Sequence, residues 1–218
     1  MQHFNLPSSK LDALLTLRTV DDLFIQLAEW HGIGPHRSAL ALLEQHVLDL
    51  DLWQAVNIRS ELQTLSDSPT FSVSANFVGR RNYNADEIKR AVATGIEAIS
   101  GWRYTEDDRQ SEINIRLFIE HESALVGMRL ASAPLYKRAY KQEHIPGSLK
   151  PSVAASLLFL GQVSPQQTTL DPCCGAGTIL VEAAAIGAVA IGGDQDERAI
   201  AAARSNAEAA GVNIDVQR

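Results

Sequence analysis

The residue types best suited to chemistry are concentrated in residues 169–178, which read TLDPCCGAGT. A short apolar run leads into Asp171, and Gly-Ala-Gly at 175–177 precedes a run typical of a helix. Glycine permits positive φ and lets a ligand approach the backbone closely. A helix start adds unpaired N–H groups and the positive end of a dipole. The stretch therefore predicts a strand, a tight turn and a helix that bind a small anionic or zwitterionic ligand.

The spacing of the residues in this stretch limits the class of ligand that it can bind. A dinucleotide fingerprint would place its third glycine at Leu180, and no Gly-Lys-Ser/Thr follows for a P-loop. An acid at one strand end, Asp171, and a second at the next, Asp194, are typical of a class I S-adenosylmethionine (SAM) site. Asp171 can face the methionine amine, and Asp194 can accept from the ribose hydroxyls. A plain strand-turn-helix without a ligand stays open, and the missing glycine disfavours a nicotinamide dehydrogenase.

The charge of the chain is uneven. The formal net charge of −7 argues against a protein that coats nucleic acid indiscriminately. Residues 71–150 nevertheless carry a net charge of +2, between segments of −5 and −4. Basic side chains neutralise phosphates and tyrosines can stack on bases, although a plain solvated face would explain the pattern as well. The candidate RNA-binding residues are Arg80, Arg81, Lys137, Arg138 and Lys141.

The two cysteines, Cys173 and Cys174, are adjacent. Neighbours cannot form an ordinary structural disulfide, and two ligands do not make a zinc site. We therefore expect no metal and a reducing, cytoplasmic setting. The sequence shows no signal peptide and no apolar run of membrane-spanning length, so we expect no membrane partner.

Hydrophobic periodicity and caps predict the elements. Apolar residues at 23, 24, 27 and 28 favour a helix over 23–30. Asn84 and Gly101 bound a helix over 85–100. Further helices are expected at 39–48, 50–65, 152–160, 178–185 and 197–210. In the helix over 50–65, Trp53 is expected on the buried side. Strands are expected at 71–77, 111–120, 124–130, 188–191 and 213–216.

These stretches together resemble the THUMP-domain RNA methyltransferases, nearest the tRNA guanine-N2 methyltransferases and the related 23S rRNA enzymes. The matching segments are residues 17–22 (LRTVDD), 115–130 followed by 135–140 (LYKRAY), 148–154 (SLKPSVA) and 171–178 (DPCCGAGT). The resemblance implies an α/β chain with a partial ferredoxin-like region and a THUMP α+β RNA-binding domain over residues 1–145. Residues 146–218 would be the first part of a class I (Rossmann-like) methyltransferase sheet, truncated after about three strands.

The resemblance also implies roles for individual residues. Ser152 would lie near the methionine carboxylate, Asp194 at the ribose and Gln195 beside the adenine. THUMP in such enzymes binds the tRNA acceptor end, which fits the basic middle segment. The residues implied to line the methionine part of SAM are Asp171, Pro172, Cys173, Gly175, Ala176, Gly177 and Thr178.

The expected function is therefore SAM-dependent methylation of RNA that forms N2-methylguanosine in tRNA. The catalytic Asn/Asp-Pro-Pro-aromatic motif of the family is absent from the chain. No residue can therefore be named as catalytic, and we expect this chain alone to be inactive. The alternative is a non-catalytic THUMP RNA-binding fragment that lacks the catalytic half of the methyltransferase domain.

Overall fold

A computed structural model describes Asn5 and residues 10–218. The chain divides into two compact units by its internal contacts. The first unit contains the described residues before Ala13 together with Leu23–Ala133, and the second contains Ala13–Asp22 and Pro134–Arg218. No helix in the described part of the chain is long and apolar enough to cross a membrane.

The first unit is built around a mixed five-stranded sheet of order β1-β5-β4-β2-β3. Strands β1, β5 and β4 are antiparallel neighbours, whereas β2 runs parallel to both β4 and β3. Helix α1 (Leu11–Leu15) has its first two residues in the first unit and the rest in the second. The other elements of the first unit are β1 (Phe24–Trp30), α2 (Ser38–Val47), α3 (Leu52–Ser60), β2 (Thr70–Phe77), α4 (Ala85–Ser100), β3 (Arg103–Tyr104), a 3₁₀ turn (Asp108–Gln110), β4 (Ile113–Glu120) and β5 (Ser123–Arg129).

Alternating apolar residues place the core on one face of this sheet. Ile113, Ile115 and Leu117 of β4 are fully buried, as expected from the period of two in a half-buried strand. Helix α4 contributes Ile88 and Val92 to the same cluster. The predicted strands at 71–77, 111–120 and 124–130 are thus present as β2, β4 and β5.

Helix α4 begins and ends where its caps predict. The Asn84 side chain accepts a hydrogen bond from the backbone N–H of Glu87 at 2.9 Å, and the Glu87 carboxylate accepts from the N–H of Asn84 at 2.9 Å. This reciprocal capping box satisfies two donors at the helix start. Gly101 ends the helix at φ 70°, in the left-handed region. The helix predicted over 85–100 is confirmed.

The helix predicted over residues 23–30 is wrong, because Phe24–Trp30 forms strand β1. The register of β1 against β5 shifts between Gln26 and Ala28. Such a bulge adds a residue and moves the side-chain alternation to the other face. The apolar residues on either side of the bulge therefore imitate helical spacing.

The helix predicted over residues 50–65 is shorter than expected, and one residue of its predicted buried side is exposed. Helix α3 covers only Leu52–Ser60, and Leu52 is buried. Trp53, which the periodicity placed on the buried side, is 55% exposed.

The second unit holds a parallel three-stranded sheet of order β6-β7-β8. Each strand is followed or preceded by a helix, as parallel connections require. The helices and strands predicted in this part of the sequence are all present within a few residues of their predicted bounds. They are α5 (Pro151–Leu160), β6 (Thr168–Asp171), α6 (Thr178–Ala185), β7 (Val189–Gly193), α7 (Glu197–Ala210) and β8 (Asp215–Gln217).

The units divide at Ala133/Pro134, earlier than the boundary predicted between residues 145 and 146. Residues 134–145 pack with the second unit because their side chains and backbone bond within it. Tyr140 Oη donates to Glu182 Oε1 at 2.7 Å, for example. Ala13–Asp22 also joins the second unit, where the Asp21 carbonyl accepts from the backbone N–H of Tyr136 at 3.0 Å.

Candidate functional site

The loop between β6 and α6 takes its shape from two glycines. Gly175 and Gly177 have φ of 54° and 73°, a region that side chains other than glycine rarely adopt. A Cβ at Gly177 would also lie 2.8 Å from the Cβ of Ala203 on α7. The turn therefore needs glycine at 177 both for its conformation and for its approach to α7.

Asp194 closes the loop from the end of β7. Its Oδ2 accepts a hydrogen bond from the backbone N–H of Gly175 at 3.0 Å, and its Oδ1 accepts from the N–H of Asp196 at 3.0 Å. These backbone donors, Asp196 first and then Gly175, hold the pKa of Asp194 below its usual range. Each carboxylate oxygen has a second lone pair, so Asp194 can brace the loop and still accept from ribose hydroxyls.

Asp171 lies at the same edge of the sheet as Asp194. In the parallel register of β6 and β7, Asp171 is paired with Gly192, two residues before Asp194. Asp171 Oδ1 accepts from the backbone N–H of Cys173 at 3.2 Å. Its other oxygen has no hydrogen-bond partner among the described residues, so it is available to a ligand ammonium group.

The two cysteines of the loop differ in environment. Cys174 is buried and Cys173 is exposed. Burial, reinforced by the nearby carboxylates of Asp171 and Asp194, raises the pKa of Cys174 to about 11. Cys174 is therefore an uncharged packing residue, and its side chain stays in the core beneath the loop.

The remaining predicted cofactor residues differ in their exposure to solvent. Pro172 at the start of the loop and Gln195 after β7 are exposed. Ala176 and Thr178 are buried at 2% and 4% exposure, so a ligand would meet the backbone of the turn more than these side chains.

Ser152 is engaged elsewhere. It is 2% exposed, and its hydroxyl donates to Asp21 Oδ1. This hydrogen bond is the main cause of the lowered pKa of Asp21. Ser152 thus attaches Ala13–Asp22 to α5, and among the described residues its hydroxyl makes no hydrogen bond to the Gly loop. Its predicted role at the methionine carboxylate stays a prediction.

A segment that the sequence analysis missed lies over the loop. We call residues 140–145 the strap. Asn206 on α7, 1% exposed, accepts through Oδ1 from the backbone N–H groups of Gln142 and Glu143 at 3.0 and 2.9 Å. A Cβ at Gly175 would lie 3.3 Å from Ile145 Cδ1. The only sequence signal was a lone Asn within an Ala-rich helix.

The basic residues predicted to bind RNA divide into engaged and exposed side chains. In the first unit, Arg81 Nη1 donates to the carbonyls of Ile33 and Gly34 at 2.9 and 3.0 Å and to Tyr83 Oη at 2.7 Å. Its guanidinium therefore holds the protein's own loops, and this geometry gives no support to a phosphate contact. Arg80, next to it, is exposed.

The predicted RNA-binding residues of the second unit also divide into engaged and exposed side chains. Arg138 Nη2 donates to the Arg18 carbonyl at 3.0 Å, and its guanidinium lies 3.7 Å from the buried Glu182 carboxylate. Lys141 Nζ donates to Thr178 Oγ1 at 2.8 Å, so it faces the Gly loop. Lys137 is exposed. The structure therefore leaves Arg80 and Lys137 as the freely accessible members of the predicted set.

The chemistry of the loop fits the cofactor inferred from the sequence. The free oxygen of Asp171 suits an amine, and Asp194 suits ribose hydroxyls. A Gly turn that opens a helix suits the backbone contacts of a compact ligand. No group of three or more His, Cys, Asp or Glu side chains that could hold a metal ion occurs in the part of the chain that the structure describes. The second unit is thus a parallel α/β domain whose Gly loop and two strand-end carboxylates suit a nucleoside-containing cofactor.

Comparison with known proteins gives this domain its class. Residues 138–218 match the family model described as UPF0020: RMKL-like, methyltransferase domain. A tRNA (guanine(6)-N2)-methyltransferase of Thermus thermophilus is 31% identical over 152 residues, which cover 68% of this chain and 44% of that protein. Ribosomal RNA large subunit methyltransferase K/L of Photobacterium profundum is 29% identical over 144 residues, which cover 64% of this chain and 20% of that protein.

A solved structure extends the likeness over both units. The crystal structure of TrmN from Thermus thermophilus matches with a TM-score of 0.70 and 28% identity, covering 94% of this chain and 58% of that one. The chain spans less than half the length of both curated relatives. Residues 138–218, most of the second unit, are thus similar to a methyltransferase domain of the RMKL-like type.

Proposed function

We propose that this protein is a SAM-dependent RNA methyltransferase that forms N2-methylguanosine in tRNA. The single observation that carries the proposal is the Gly loop closed by Asp194, with Asp171 at the same sheet edge. The names of the two curated relatives support RNA as the substrate, and the name of the Thermus thermophilus relative supports guanine N2 as the position. We further propose that the first unit, with its basic middle segment, is a THUMP-type domain that binds the tRNA acceptor end.

In this proposal the chain's own residues bind and orient the cofactor. Asp171 accepts from the amine of the methionine part, and Asp194 accepts from the ribose while it braces Gly175. When bound, the cofactor supplies an electrophilic methyl group on its sulfonium. Transfer requires the guanine amine to be held in line with that methyl, so positioning provides most of the rate enhancement.

Cofactor binding tests the first half of the proposal. We expect SAM and its product S-adenosylhomocysteine (SAH) to bind the chain in calorimetry, and Asp194→Ala to abolish binding. Asp194→Asn separates the bracing of the loop from the binding of the ribose, because its remaining side-chain oxygen can still accept from one backbone N–H. Asp215→Asn, an exposed acid on β8, should leave binding unchanged. Preferential binding of NADH by the unaltered chain would contradict the proposal.

RNA binding tests the second half. We expect fluorescence anisotropy to show that the chain binds tRNA and binds the same tRNA less tightly once its acceptor end is removed. Arg80→Ala and Lys137→Ala should each weaken binding and lower the slope of log K against log salt by about 1. Arg198→Ala, an exposed arginine at the start of α7, is the matched control. Equal affinity for the two RNAs would count against acceptor-end recognition.

Methyl transfer separates the enzyme from the alternative, a non-catalytic RNA-binding fragment. Because the Asn/Asp-Pro-Pro-aromatic motif is absent from residues 1–218, we expect no transfer of labelled methyl groups to tRNA by this chain alone. Detectable transfer would show that the catalytic residues lie within it and that they have a different pattern.

A further inference from the structure

Lys141 is directed at the start of the helix that the Gly loop opens. Its Nζ donates to Thr178 Oγ1 at 2.8 Å, and also to the backbone carbonyl of Leu149. Thr178 is the first residue of α6 and is buried. Because an ammonium group has three donors, these two hydrogen bonds leave one N–H for a further acceptor.

The charge of Lys141 has no ion-pair partner among the residues that the structure describes. Glu182 is the carboxylate whose field acts on it. That carboxylate is itself occupied, since Arg18 Nε donates to Oε2 at 2.8 Å and Tyr140 Oη donates to Oε1 at 2.7 Å. Lys141 is therefore a cation beside the loop whose charge no ion pair within the described residues balances.

The surroundings make an anion favourable at this place. Burial lowers the pKa of Lys141, which means that the protein itself disfavours the charge. The α6 N-terminus adds the positive end of its dipole at Thr178. A bound carboxylate would stabilise both. The strap also holds Lys141 in position, since its neighbours Tyr140 and Gln142 bond to α6 and α7.

We propose that Lys141 binds the α-carboxylate of the methionine part of SAM and so positions the cofactor, rather than contacting RNA. This inference rests on the proposed cofactor site. It completes the recognition of a zwitterion, because Asp171 offers a free oxygen to the amine and Lys141 offers a donor to the carboxylate. Charge-assisted hydrogen bonds of this kind are among the stronger ones in proteins.

The test compares two ligands that differ in the amino-acid part. SAH carries the α-amino and α-carboxylate groups, whereas 5′-methylthioadenosine has the same adenosine thioether without them. We expect Lys141→Met to weaken SAH binding about 10-fold or more in calorimetry, with the affinity for 5′-methylthioadenosine unchanged. Lys137→Met, an exposed lysine on the same segment, should alter neither affinity. Lys141→Gln, which keeps a hydrogen-bond donor without the charge, is the second variant if Lys141→Met unfolds.

Each result of this binding test either supports or overturns the role of Lys141. A selective loss of SAH affinity supports the inference. An equal loss for both ligands would show that Lys141 only braces Leu149 and Thr178, and no loss would show that another group binds the carboxylate; either result overturns it. Failure of the unaltered chain to bind SAH and 5′-methylthioadenosine would remove the proposed cofactor site itself, and the inference with it.

Discussion

Asn206 on helix α7 donates a hydrogen bond from Nδ2 to the backbone carbonyl of Ala176 in the Gly loop, at 3.0 Å. The same amide nitrogen donates to the Glu143 carbonyl at 3.1 Å, while Oδ1 accepts from the N–H groups of Gln142 and Glu143. All of these partners agree with one orientation of the amide. One buried side chain therefore ties the strap and the loop to a single helix.

Replacing this amide should loosen the loop. Asn206→Ala removes a hydrogen-bond partner from the backbone groups of residues 142, 143 and 176, although the N–H of Gln142 keeps its bond to the Tyr140 carbonyl. A backbone group that is left unpaired where water cannot reach it costs about 1–3 kcal/mol. We expect a loss of about 2–4 kcal/mol in the free energy of unfolding, measured in urea, and weaker SAH binding. Asn213→Ala, at an exposed position, should stay within about 0.5 kcal/mol. An unchanged stability of Asn206→Ala would show that the four hydrogen bonds contribute little.

Arg18 should contribute more to the free energy of unfolding than an exposed arginine whose ion pair is of similar length. Its Nη2 lies 2.5 Å from Glu182 Oε2, and the Glu182 side chain is fully buried. Arg18→Met leaves that buried carboxylate with only Tyr140 and the more distant Arg138, so we expect a loss of about 2–3 kcal/mol. Urea unfolding would measure it.

The control for Arg18 is Arg218→Met. Arg218 Nη1 lies 2.7 Å from Glu197 Oε1, but the two side chains are 69% and 74% exposed. Exposed pairs contribute about 0–1 kcal/mol. Equal losses in the two variants would contradict a special role for the buried carboxylate.

The environment of Tyr140 predicts how the free energy of unfolding changes at alkaline pH. Burial, together with its hydrogen bond to Glu182, raises the pKa of Tyr140 above its usual range. An acid with a raised pKa in the folded state releases its proton more easily when unfolded. Its stabilising effect is therefore complete below the unfolded pKa of about 10 and is lost as the pH rises further, by about 1.4 kcal/mol per pH unit.

Urea unfolding between pH 8 and 11 would measure this loss. Tyr140→Phe should be less stable than the unaltered chain at pH 8, because it loses the 2.7 Å hydrogen bond to Glu182, and should lose less stability above pH 10. Tyr136→Phe should follow the pH dependence of the unaltered chain. Parallel curves for Tyr140→Phe and the unaltered chain would be inconsistent with a raised pKa.

Local signals explain what the sequence predicted well. The capping box of Asn84 and Glu87, and the caps at Asp196 and Gly211, fix the bounds of α4 and α7 within short stretches of chain. The Gly loop is also local, because Gly175 and Gly177 can adopt conformations that other residues avoid. Elements of this kind can be located without knowing the rest of the fold.

Long-range contacts explain what the sequence could not give. The bulge at Gln26 in β1 depends on pairing with β5, about a hundred residues later. Lys141 was predicted to contact RNA because its neighbours in sequence are basic. In the structure its Nζ donates to Thr178, which is 37 residues away. Asn206 and Ala176 are likewise 30 residues apart. The side chains over the loop are therefore set by tertiary packing.

The two loop cysteines should react differently with a thiol reagent. Cys173 is exposed, whereas Cys174 is buried and its pKa is raised to about 11. At pH 8 only about one in a thousand Cys174 side chains would be thiolate. We expect one fast thiol in the folded chain with Ellman's reagent and a second after unfolding in urea. Cys173→Ser should abolish the fast phase and Cys174→Ser should keep it. Because Cys173 flanks the proposed cofactor site, saturating SAH should slow its reaction, and two fast thiols in the folded chain would contradict the burial of Cys174.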